Sequence, residues 1–292
     1  MLIFLSDGRL GNQLFQYSFL NTIAKEDEKI LTVNMEQFIG KFDINNTKFK
    51  HSALGKYGKF FIRKFVKPLI MVCVRFKFIG YISQDKNATL EPLSIFTTKK
   101  GLLPISLVET NFFQSEKFFD KDKVDFKIKD KYMKEAVRFL AKVPDEYTKI
   151  FIHIRRGDYV FESYLGEMGI DLPKSYFEDA MREISHNIEK PFFVFLSDDA
   201  SFVESCFENI QNKIVSTNSM ATDLAIMSLC EYGIVSNSSF SWWGAYMMKN
   251  RKRVIFPKYW YGWKSKVESH IDIQPDWAEV IEVEYRIPVV YG

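Results

Sequence analysis

Short apolar runs alternate with longer amphipathic stretches along most of the chain. The apolar runs predict buried strands over residues 2–6, 30–33, 105–109, 149–154, 192–197, 213–216, 232–236 and 253–256. Helical spacing of apolar positions predicts helices over residues 12–25, 56–73, 131–142, 174–188, 200–207, 221–230 and 241–249. Strands that alternate with helices in this way are typical of parallel sheets covered on both faces. The pattern therefore predicts an α/β protein.

A boundary between two domains is predicted where a helix ends just before Pro144. The length of 292 residues is comfortable for two ordinary domains. The second part is the more regular, because five of the predicted strands lie between residues 149 and 256. We predict two doubly wound domains, over residues 1–145 and 146–292, that meet at a cleft.

Composition narrows the class of protein. Hydrophobic residues make up 47% and charged residues 26%, and the 28 phenylalanines indicate a large aromatic core. A net charge of only +3 argues against a dedicated nucleic-acid-binding protein. The three cysteines are far apart, which argues against a disulfide framework and fits a reducing cytoplasm. Since no apolar run approaches the ~20 residues of a membrane span, we expect a cytoplasmic protein.

One segment departs from this even charge balance. Between residues 41 and 80 there are ten Lys or Arg and a single acid, Asp43. Basic residues recur at helical spacing at Lys56, Lys59, Arg63 and Lys67. An apolar stripe runs beside them at Phe61, Phe65, Leu69 and Val72. Two interpretations stay open: contact with an anionic membrane or an acidic acceptor, or a surface helix whose apolar face is buried in the protein.

The first candidate for chemistry is residues 7–13, D-G-R-L-G-N-Q, which follow the first strand and open the first helix. Gly8 and Gly11 let the backbone approach a ligand, and a helix start offers free N–H groups to a negative charge. The segment lacks the third glycine of a dinucleotide fingerprint and the Gly-Lys-Ser/Thr ending of a P-loop. It is either a ligand-contacting turn or a simple tight connection.

The second candidate follows the strand at residues 149–154 and reads H-I-R-R-G-D-Y. His153 and Arg155 lie on one face by strand alternation, at the carboxyl end where parallel sheets bind ligands. The planar guanidinium of Arg155 is suited to two oxygens of a diphosphate. Arg156 or Asp158 could instead form a structural ion pair.

Two further candidates follow strand ends in the same domain. Asp198 and Asp199 could bind a divalent metal, share a proton, or cap the next helix. Residues 237–244, N-S-S-F-S-W-W-G, offer hydroxyls and helix N–H groups as an uncharged phosphate seat, or simply caps. Arg155 and this helix start can together hold a diphosphate without a metal. Fixed positive groups there would stabilise the charge that grows on a leaving group in glycosyl transfer.

With these segments the chain resembles glycosyltransferase family 11, the α-1,2-fucosyltransferases. The matching segments follow the family's order: GRLGNQLFQY (8–17), NFFQSEKFF (111–119), HIRRGDY (153–159), SDD (197–199) and NSSFSWWGA (237–245). Residues 41–101 match no pattern of the family. Arg9 stands where the family commonly has a second glycine.

The resemblance implies a GT-B architecture, two Rossmann-like doubly wound domains with the active site in the cleft between them. It implies transfer of L-fucose from GDP-β-L-fucose, with inversion and no metal or other cofactor. The implied acceptor is the 2-hydroxyl of a terminal β-galactoside on a surface polysaccharide or lipid-linked oligosaccharide. The first domain would take the acceptor and the second the donor. The expected setting is the bacterial cytoplasm, and peripheral contact of the inner membrane through Lys56, Lys59, Arg63 and Lys67 stays open as one interpretation of the basic segment.

The resemblance also implies roles for single residues. Arg155 is similar to the arginine that holds the donor pyrophosphate and acts in catalysis, and His153 to a donor-contacting histidine. Asn12 is similar to a catalytic-site asparagine near fucose and acceptor in the protein O-fucosyltransferases. Asp223, sixteen residues before Ser239, is similar to a guanine-reading aspartate of related α-1,6 enzymes. The remaining implied donor-binding residues are Gly11, Asp158, Asp198, Ser238, Ser239 and Phe240.

Several alternatives stay open. The general base is unassigned: Asp7 and Glu109 end predicted strands, and a donor phosphate oxygen or a water relay would serve as well. A single-domain glycosyltransferase that takes another nucleotide sugar could use Asp198 and Asp199, or Asp120 and Asp122, on manganese. A protein that binds GDP-sugars or glycans without turnover would carry the same donor residues.

Overall fold

The computed structural model describes residues 1–84, 96–269 and 272–286. The chain divides into two compact units, Met1–Lys127 and Ile128–Gly292. This division lies earlier in the chain than the boundary after residue 145, which the sequence predicts from Pro144. The reason is that the helix Asp130–Leu140 packs against the helix Met220–Leu229, both within the second unit.

The first unit is built on a six-stranded sheet. The strands of this sheet are β1 (Leu2–Leu5), β2 (Ile30–Val33), β4 (Phe49–Ser52), β5 (Gly80–Gln84), β6 (Phe96–Lys99) and β7 (Ser106–Val108). Two further strands, β3 (Phe42–Ile44) and β8 (Phe126–Ile128), form a separate two-stranded sheet, and β8 lies at the boundary between the units. The helices of the first unit are α1 (Leu10–Ile23), α2 (Glu36–Ile39), α3 (Lys56–Phe61) and α4 (Lys67–Arg75). The sheet order is β4-β2-β1-β7-β5-β6, parallel except for the pair β5–β6. The three strands predicted in this unit are confirmed.

The helix predicted over residues 56–73 is interrupted. A π-helical turn, Ile62–Val66, separates α3 from α4. Pro68 lies in the first turn of α4. Because proline has no N–H and its ring crowds the carbonyl four residues earlier, regular α-helical bonding cannot pass this point, and the π turn absorbs the mismatch.

The second unit is built on a fully parallel sheet. The strands of the second unit are β9 (Thr148–Ile154), β10 (Ser163–Tyr164), β11 (Glu167–Met168), β12 (Pro191–Ser197), β13 (Lys213–Ser216), β14 (Tyr232–Ile234), β15 (Arg253–Pro257) and β16 (Glu279–Ile281). Its helices are α5 (Asp130–Leu140), α6 (Lys174–Ser185), α7 (Ala200–Cys206), α8 (Met220–Leu229) and α9 (Ser239–Tyr246). The sheet order is β13-β12-β9-β14-β15-β16, and the short strands β10 and β11 form a separate hairpin. All five strands predicted in this unit are confirmed, and β16 is added.

The core of the second unit positions its functional edge. Ile152 of β9, Phe195 of β12 and Ile234 of β14 are fully buried. The predicted packing role of Trp242 and Trp243 is confirmed because neither ring is exposed. The parallel register pairs His153 of β9 with Leu196 of β12. The carboxyl ends of these strands therefore lie along one edge, where polar residues follow each strand.

Candidate functional site

His153 lies at the carboxyl end of β9 as a buried, neutral imidazole. Its Nδ1 is 2.8 Å from the hydroxyl of Ser236, and its ring centroid is 5.3 Å from that of Phe240. Burial, reinforced by the charge of Arg155, lowers the pKa of His153 to about 3. An imidazole with such a pKa is a weak base at neutral pH, so His153 is suited to hydrogen bonding rather than to proton abstraction.

The guanidinium of Arg155 is held by two carboxylates. Its Nη2 contacts Asp158 Oδ1, and its Nη1 lies 2.6 Å from Asp198 Oδ2. The centre of the guanidinium is 5.2 Å from the ring centroid of Tyr159. Since the side chain is only 15% exposed, its orientation is fixed before any ligand binds. The carboxylates of Asp158 and Asp198 would repel a diphosphate. Their contacts are with Arg155, so they position its guanidinium.

Gly157 makes room for Asp198. Its φ is +25°, and a Cβ placed there would lie 2.5 Å from Asp198 Oδ2. The other carboxylate oxygen, Oδ1, accepts a hydrogen bond of 2.9 Å from the Arg156 N–H. The Arg-Arg-Gly sequence therefore holds Asp198 at both oxygens and needs glycine for steric reasons.

Arg156 and Asp199 form a structural pair beside this cluster. Arg156 Nε lies 3.3 Å from Asp199 Oδ2, Nη1 lies 3.3 Å from Asp171 Oδ2, and the guanidinium stacks 3.7 Å from the ring centroid of Phe202. Asp199 also caps α7, accepting a 3.0 Å bond from the Phe202 N–H. That bond, followed by those from the Ser201 hydroxyl and Arg156, lowers the pKa of Asp199. The capping interpretation is confirmed for Asp199.

Across residues 1–84, 96–269 and 272–286, no three His, Cys, Asp or Glu side chains are grouped so that they could hold a metal ion. Asp198 and Asp199, the pair considered for manganese, each accept contacts from an arginine instead.

The start of α9 is shaped by its serines. The Ser238 hydroxyl accepts a 3.3 Å hydrogen bond from the Phe240 N–H, and the Ser241 hydroxyl donates to the Ser238 carbonyl at 3.1 Å. Ser239 begins the helix and is half-buried. Ser238 is therefore the N-cap, while the phosphate seat at Ser238, Ser239 and Phe240 stays a prediction.

Asp223 lies in the first turn of α8, beside the carboxyl end of β13. Its Oδ1 accepts a 2.5 Å hydrogen bond from the hydroxyl of Ser216. Burial raises the pKa of Asp223 to about 7, against a smaller lowering by Ser216. The side chain therefore changes charge near neutral pH, which is typical of functional carboxyls.

Two buried glutamines hold the loop between β1 and α1, a role that the sequence did not reveal. Gln13 donates to the carbonyls of Gly8, at 3.2 Å, and Asn34, at 3.1 Å. Gln16 donates to the carbonyls of Asp7, at 3.1 Å, and Asn111, at 3.0 Å. The available signal was the presence of two amides in a helix whose other inner positions are mostly apolar.

Asn12 faces this same loop. Its Oδ1 accepts a 2.6 Å hydrogen bond from Gln114 Nε2. Gly8 has a φ of +82°, and a Cβ there would lie 2.5 Å from Asn12 Nδ2, so only glycine fits. Gly11 is buried in the first turn of α1. Asn12 and Gly11 thus belong to the first unit, whereas His153, Arg155 and the other predicted donor residues cluster in the second.

A cavity of about 180 Å³ lies in the first unit at the carboxyl ends of β1, β2 and β7. Its lining comprises Leu5, Ser6, Asp7, Val33, Asn34, Lys59, Ile62, Arg63, Lys67 and Thr110. Asp7 Oδ2 is 4.0 Å from Arg63 Nη2. Glu109, the other candidate base, bonds to the Tyr81 hydroxyl, whose pKa is raised by burial and by Glu109. Of these two carboxylates, Asp7 is the one that lines the cavity.

Known proteins resemble this chain in sequence. The profile of Glycosyl transferase family 11 matches residues 82–280, about two thirds of the chain. The O-antigen biosynthesis glycosyltransferase WbnK of Escherichia coli is 34% identical over 126 residues, 41% of this chain and 42% of WbnK. An alpha-1,2-colitosyltransferase of Escherichia coli is 26% identical over 82% of this chain and 85% of its own. Galactoside alpha-(1,2)-fucosyltransferase 1 of Oryctolagus cuniculus is 24% identical over 82% of this chain and 62% of its own.

Solved structures resemble the fold. POFUT1 in complex with GDP superposes with a TM-score of 0.52 and 13% identity, over 87% of this chain and 97% of its own. NodZ alpha-1,6-fucosyltransferase soaked with GDP-fucose gives a TM-score of 0.50 and 9% identity, over 87% and 93%. The predicted GT-B fold, with two Rossmann-like α/β units, is confirmed. Because the family profile matches about two thirds of the chain, the chain belongs to glycosyltransferase family 11.

Proposed function

We propose that this protein is an inverting α-1,2-fucosyltransferase that moves L-fucose from GDP-β-L-fucose to the 2-hydroxyl of a terminal β-galactoside. The observation that carries the proposal is the guanidinium of Arg155, fixed by Asp158 and Asp198 at the carboxyl edge of a parallel sheet. The α-1,2 linkage is supported by the relatives named for α-1,2 transfer. The donor is supported by fold neighbours that contain GDP or GDP-fucose.

The donor-binding roles follow from charge and burial. Arg155 would bind two oxygens of the diphosphate as a preoriented fork. The Nδ1 of His153 already faces Ser236. The other ring nitrogen, Nε2, would therefore donate or accept one hydrogen bond with the donor, and the neutral imidazole would add no charge. Ser238, Ser239 and Phe240 would present helix N–H groups to the terminal phosphate. Asp223 would accept the N–H groups of guanine.

In the reaction the acceptor oxygen attacks the anomeric carbon opposite the bond to GDP. The carbon–oxygen bond to the phosphate breaks, and GDP leaves with the electron pair. Arg155 would stabilise the negative charge that grows on the diphosphate. The acceptor proton must go to a base, and we assign Asp7, because it is the candidate carboxylate that lines the cavity. Asn12, oriented by Gln114, would contact the fucose and the acceptor.

The acceptor is proposed to be a glycan of a surface polysaccharide or a lipid-linked oligosaccharide, in keeping with the similarity to an O-antigen biosynthesis enzyme. A second candidate is transfer of colitose, favoured by the match to an α-1,2-colitosyltransferase over 82% of the chain. The two candidates share the linkage and differ in the donor sugar.

Release of GDP tests the donor and the reaction class together. The purified protein is incubated with lactose and with GDP-fucose, GDP-colitose or GDP-mannose, each with and without EDTA. We expect GDP release with GDP-fucose, unchanged by EDTA and lost in Arg155→Ala. Preference for GDP-colitose would establish the second candidate. Loss of turnover in EDTA would favour the metal-dependent alternative, and donor binding without any GDP release would favour a non-catalytic binding protein.

A further inference from the structure

The helical segment from α3 to α4 leaves its aromatic side chains in solvent. The exposed residues, which we call the aromatic surface, are Phe60, Phe61, Phe65, Leu69, Val72 and Phe76. Phe60 is 61% exposed, Phe65 53% and Leu69 64%. The π turn and α4 contain no buried residue. The interpretation of an ordinary helix with its apolar face buried in the protein is therefore wrong, because nothing in the described part of the chain covers that face.

The apolar surface continues beyond the helix. Leu102 N–H donates to the carbonyl of Lys77 and Leu103 N–H to that of Phe78, each at 2.8 Å. This pairing places Leu102, 79% exposed, next to the end of α4. Solvent-exposed apolar residues grouped in this way mark an interaction site rather than the scattered exposure of an ordinary surface.

Basic residues of the segment divide between two sides. Lys59, Arg63 and Lys67 line the cavity beside Asp7. Lys64 lies instead on the aromatic surface, with its Nζ 5.3 Å and 5.7 Å from the ring centroids of Phe60 and Phe65. Arg75 is exposed at the end of α4, and so is Lys77 just after it. The side chain of Lys56 lies outside the described residues, although α3 begins there.

We propose that the aromatic surface lies on an anionic lipid surface, with Lys64, Arg75 and Lys77 at the headgroups. Aromatic and aliphatic side chains flanked by Lys and Arg suit the boundary between headgroups and acyl chains. A second copy of this chain fits poorly, because residues 41–80 carry ten basic residues against one acid, and pairing two such faces would bring like charges together. No helix in the described ranges is long and apolar enough to cross a bilayer.

This inference goes beyond the proposed function and differs from the membrane contact predicted from sequence. In the membrane-contact interpretation of the sequence the contacting residues are Lys56, Lys59, Arg63 and Lys67, but Lys59, Arg63 and Lys67 line the cavity. Substituting them would disturb the cavity and the membrane contact together. The aromatic surface can be changed without touching any residue placed in donor binding or catalysis.

Vesicle co-sedimentation tests the inference. The full chain is mixed with vesicles of phosphatidylcholine alone or with 30% phosphatidylglycerol, at ~50 mM and ~300 mM salt, a range over which charge screening differs strongly. One variant combines Phe61→Ser, Phe65→Ser and Leu69→Ser; a second combines Lys64→Glu and Arg75→Glu. The matched control combines Lys134→Glu and Arg138→Glu on α5, which makes the same change in charge on another exposed helix. Transfer to soluble lactose is measured for every variant.

We expect binding to phosphatidylglycerol vesicles that weakens with salt. Each surface charge removed should weaken partitioning about fivefold, so the charge-reversal variant should lose at least ~20-fold, while the α5 control keeps its binding. The aromatic variant should lose binding at both salt concentrations and keep its activity on lactose. Equal binding by all variants, or none by the parent chain, would overturn the inference. So would a dimer of the parent chain that the aromatic variant abolishes, since a second copy would then cover the surface.

Discussion

Affinity for GDP is expected to fall as pH decreases through about 7, and Asp223 is the residue responsible. Reading guanine requires an acceptor, because the N1–H and 2-amino groups of guanine donate. Only the ionised carboxylate can accept both, and burial raises the pKa of Asp223 to about 7. Since the ligand binds the charged form, binding releases a proton whenever Asp223 is protonated in the free protein. Affinity is therefore complete above the pKa and lost below it.

The magnitude follows from that pKa. With a value of about 7, roughly 90% of Asp223 is ionised at pH 8 and roughly 10% at pH 6. The apparent Kd for GDP should rise about tenfold between these conditions, or ~1.4 kcal/mol. Proton release on binding should be about 0.9 per GDP at pH 6 and about 0.1 at pH 8, apart from the contribution of the phosphate itself.

Isothermal titration at pH 6, 7 and 8, in two buffers of different ionisation enthalpy, measures both quantities. Asp223→Asn is the control, because it keeps the phosphate contribution and removes the carboxyl. Its affinity at pH 8 should be ~1.5–3 kcal/mol weaker. Ser216→Ala removes the hydroxyl that lowers the pKa of Asp223, so it should move the midpoint to higher pH. Parallel pH profiles for the parent chain and Asp223→Asn would refute the guanine-reading role.

Three further substitutions and one matched control test the site. Arg155→Lys should lower kcat/KM about 100-fold, since a point charge cannot replace the fork; activity within threefold of the parent would contradict the diphosphate role. Gly157→Ala should cost ~1–3 kcal/mol in unfolding free energy and weaken GDP binding, because its Cβ meets Asp198 at 2.5 Å; an unchanged denaturation midpoint would count against that clash. Asp7→Asn should lower kcat at least ~100-fold with GDP affinity unchanged, whereas Glu109→Gln, the matched control, should not. Equal loss in both would remove Asp7 as the base.

Strand positions at the functional edge were predictable because they depend on local pattern. The apolar run at residues 149–154 and the polar residues after it fixed His153 and Arg155 at a strand end, where β9 places them. The strand Glu279–Ile281 escaped prediction, because three residues with one apolar pair carry too little pattern. It is stabilised by pairing with β15, a contact distant in sequence.

The contact of Arg155 with Asp198 was not predictable from the sequence, which left open an ion pair only for Asp158 and Arg156. Alternation along a strand gives the face of a side chain, but Asp198 reaches Arg155 from the end of the neighbouring strand β12. The family resemblance implies that Asp158 and Asp198 bind the donor, whereas their contacts in the structure are with Arg155. The same limit applies to Gln13 and Gln16, whose acceptors are carbonyls of separate loops.

The sequence also could not show which face of the basic segment packs against the protein. Helical spacing identified a polar and an apolar stripe, but spacing alone does not say which stripe meets the protein. In the structure Lys59, Arg63 and Lys67 turn to the cavity and Phe61 and Phe65 to solvent. The orientation of the two stripes depends on the tertiary packing of the first unit.

The central claim is tested most directly by the structure of the product formed from GDP-β-L-fucose and lactose. NMR of the isolated trisaccharide gives both the linkage and the anomeric configuration. The account predicts an α-anomeric fucose on the 2-hydroxyl of galactose, formed equally with and without EDTA. A β-linked fucose would contradict inversion, and attachment at any other hydroxyl would contradict the α-1,2 assignment.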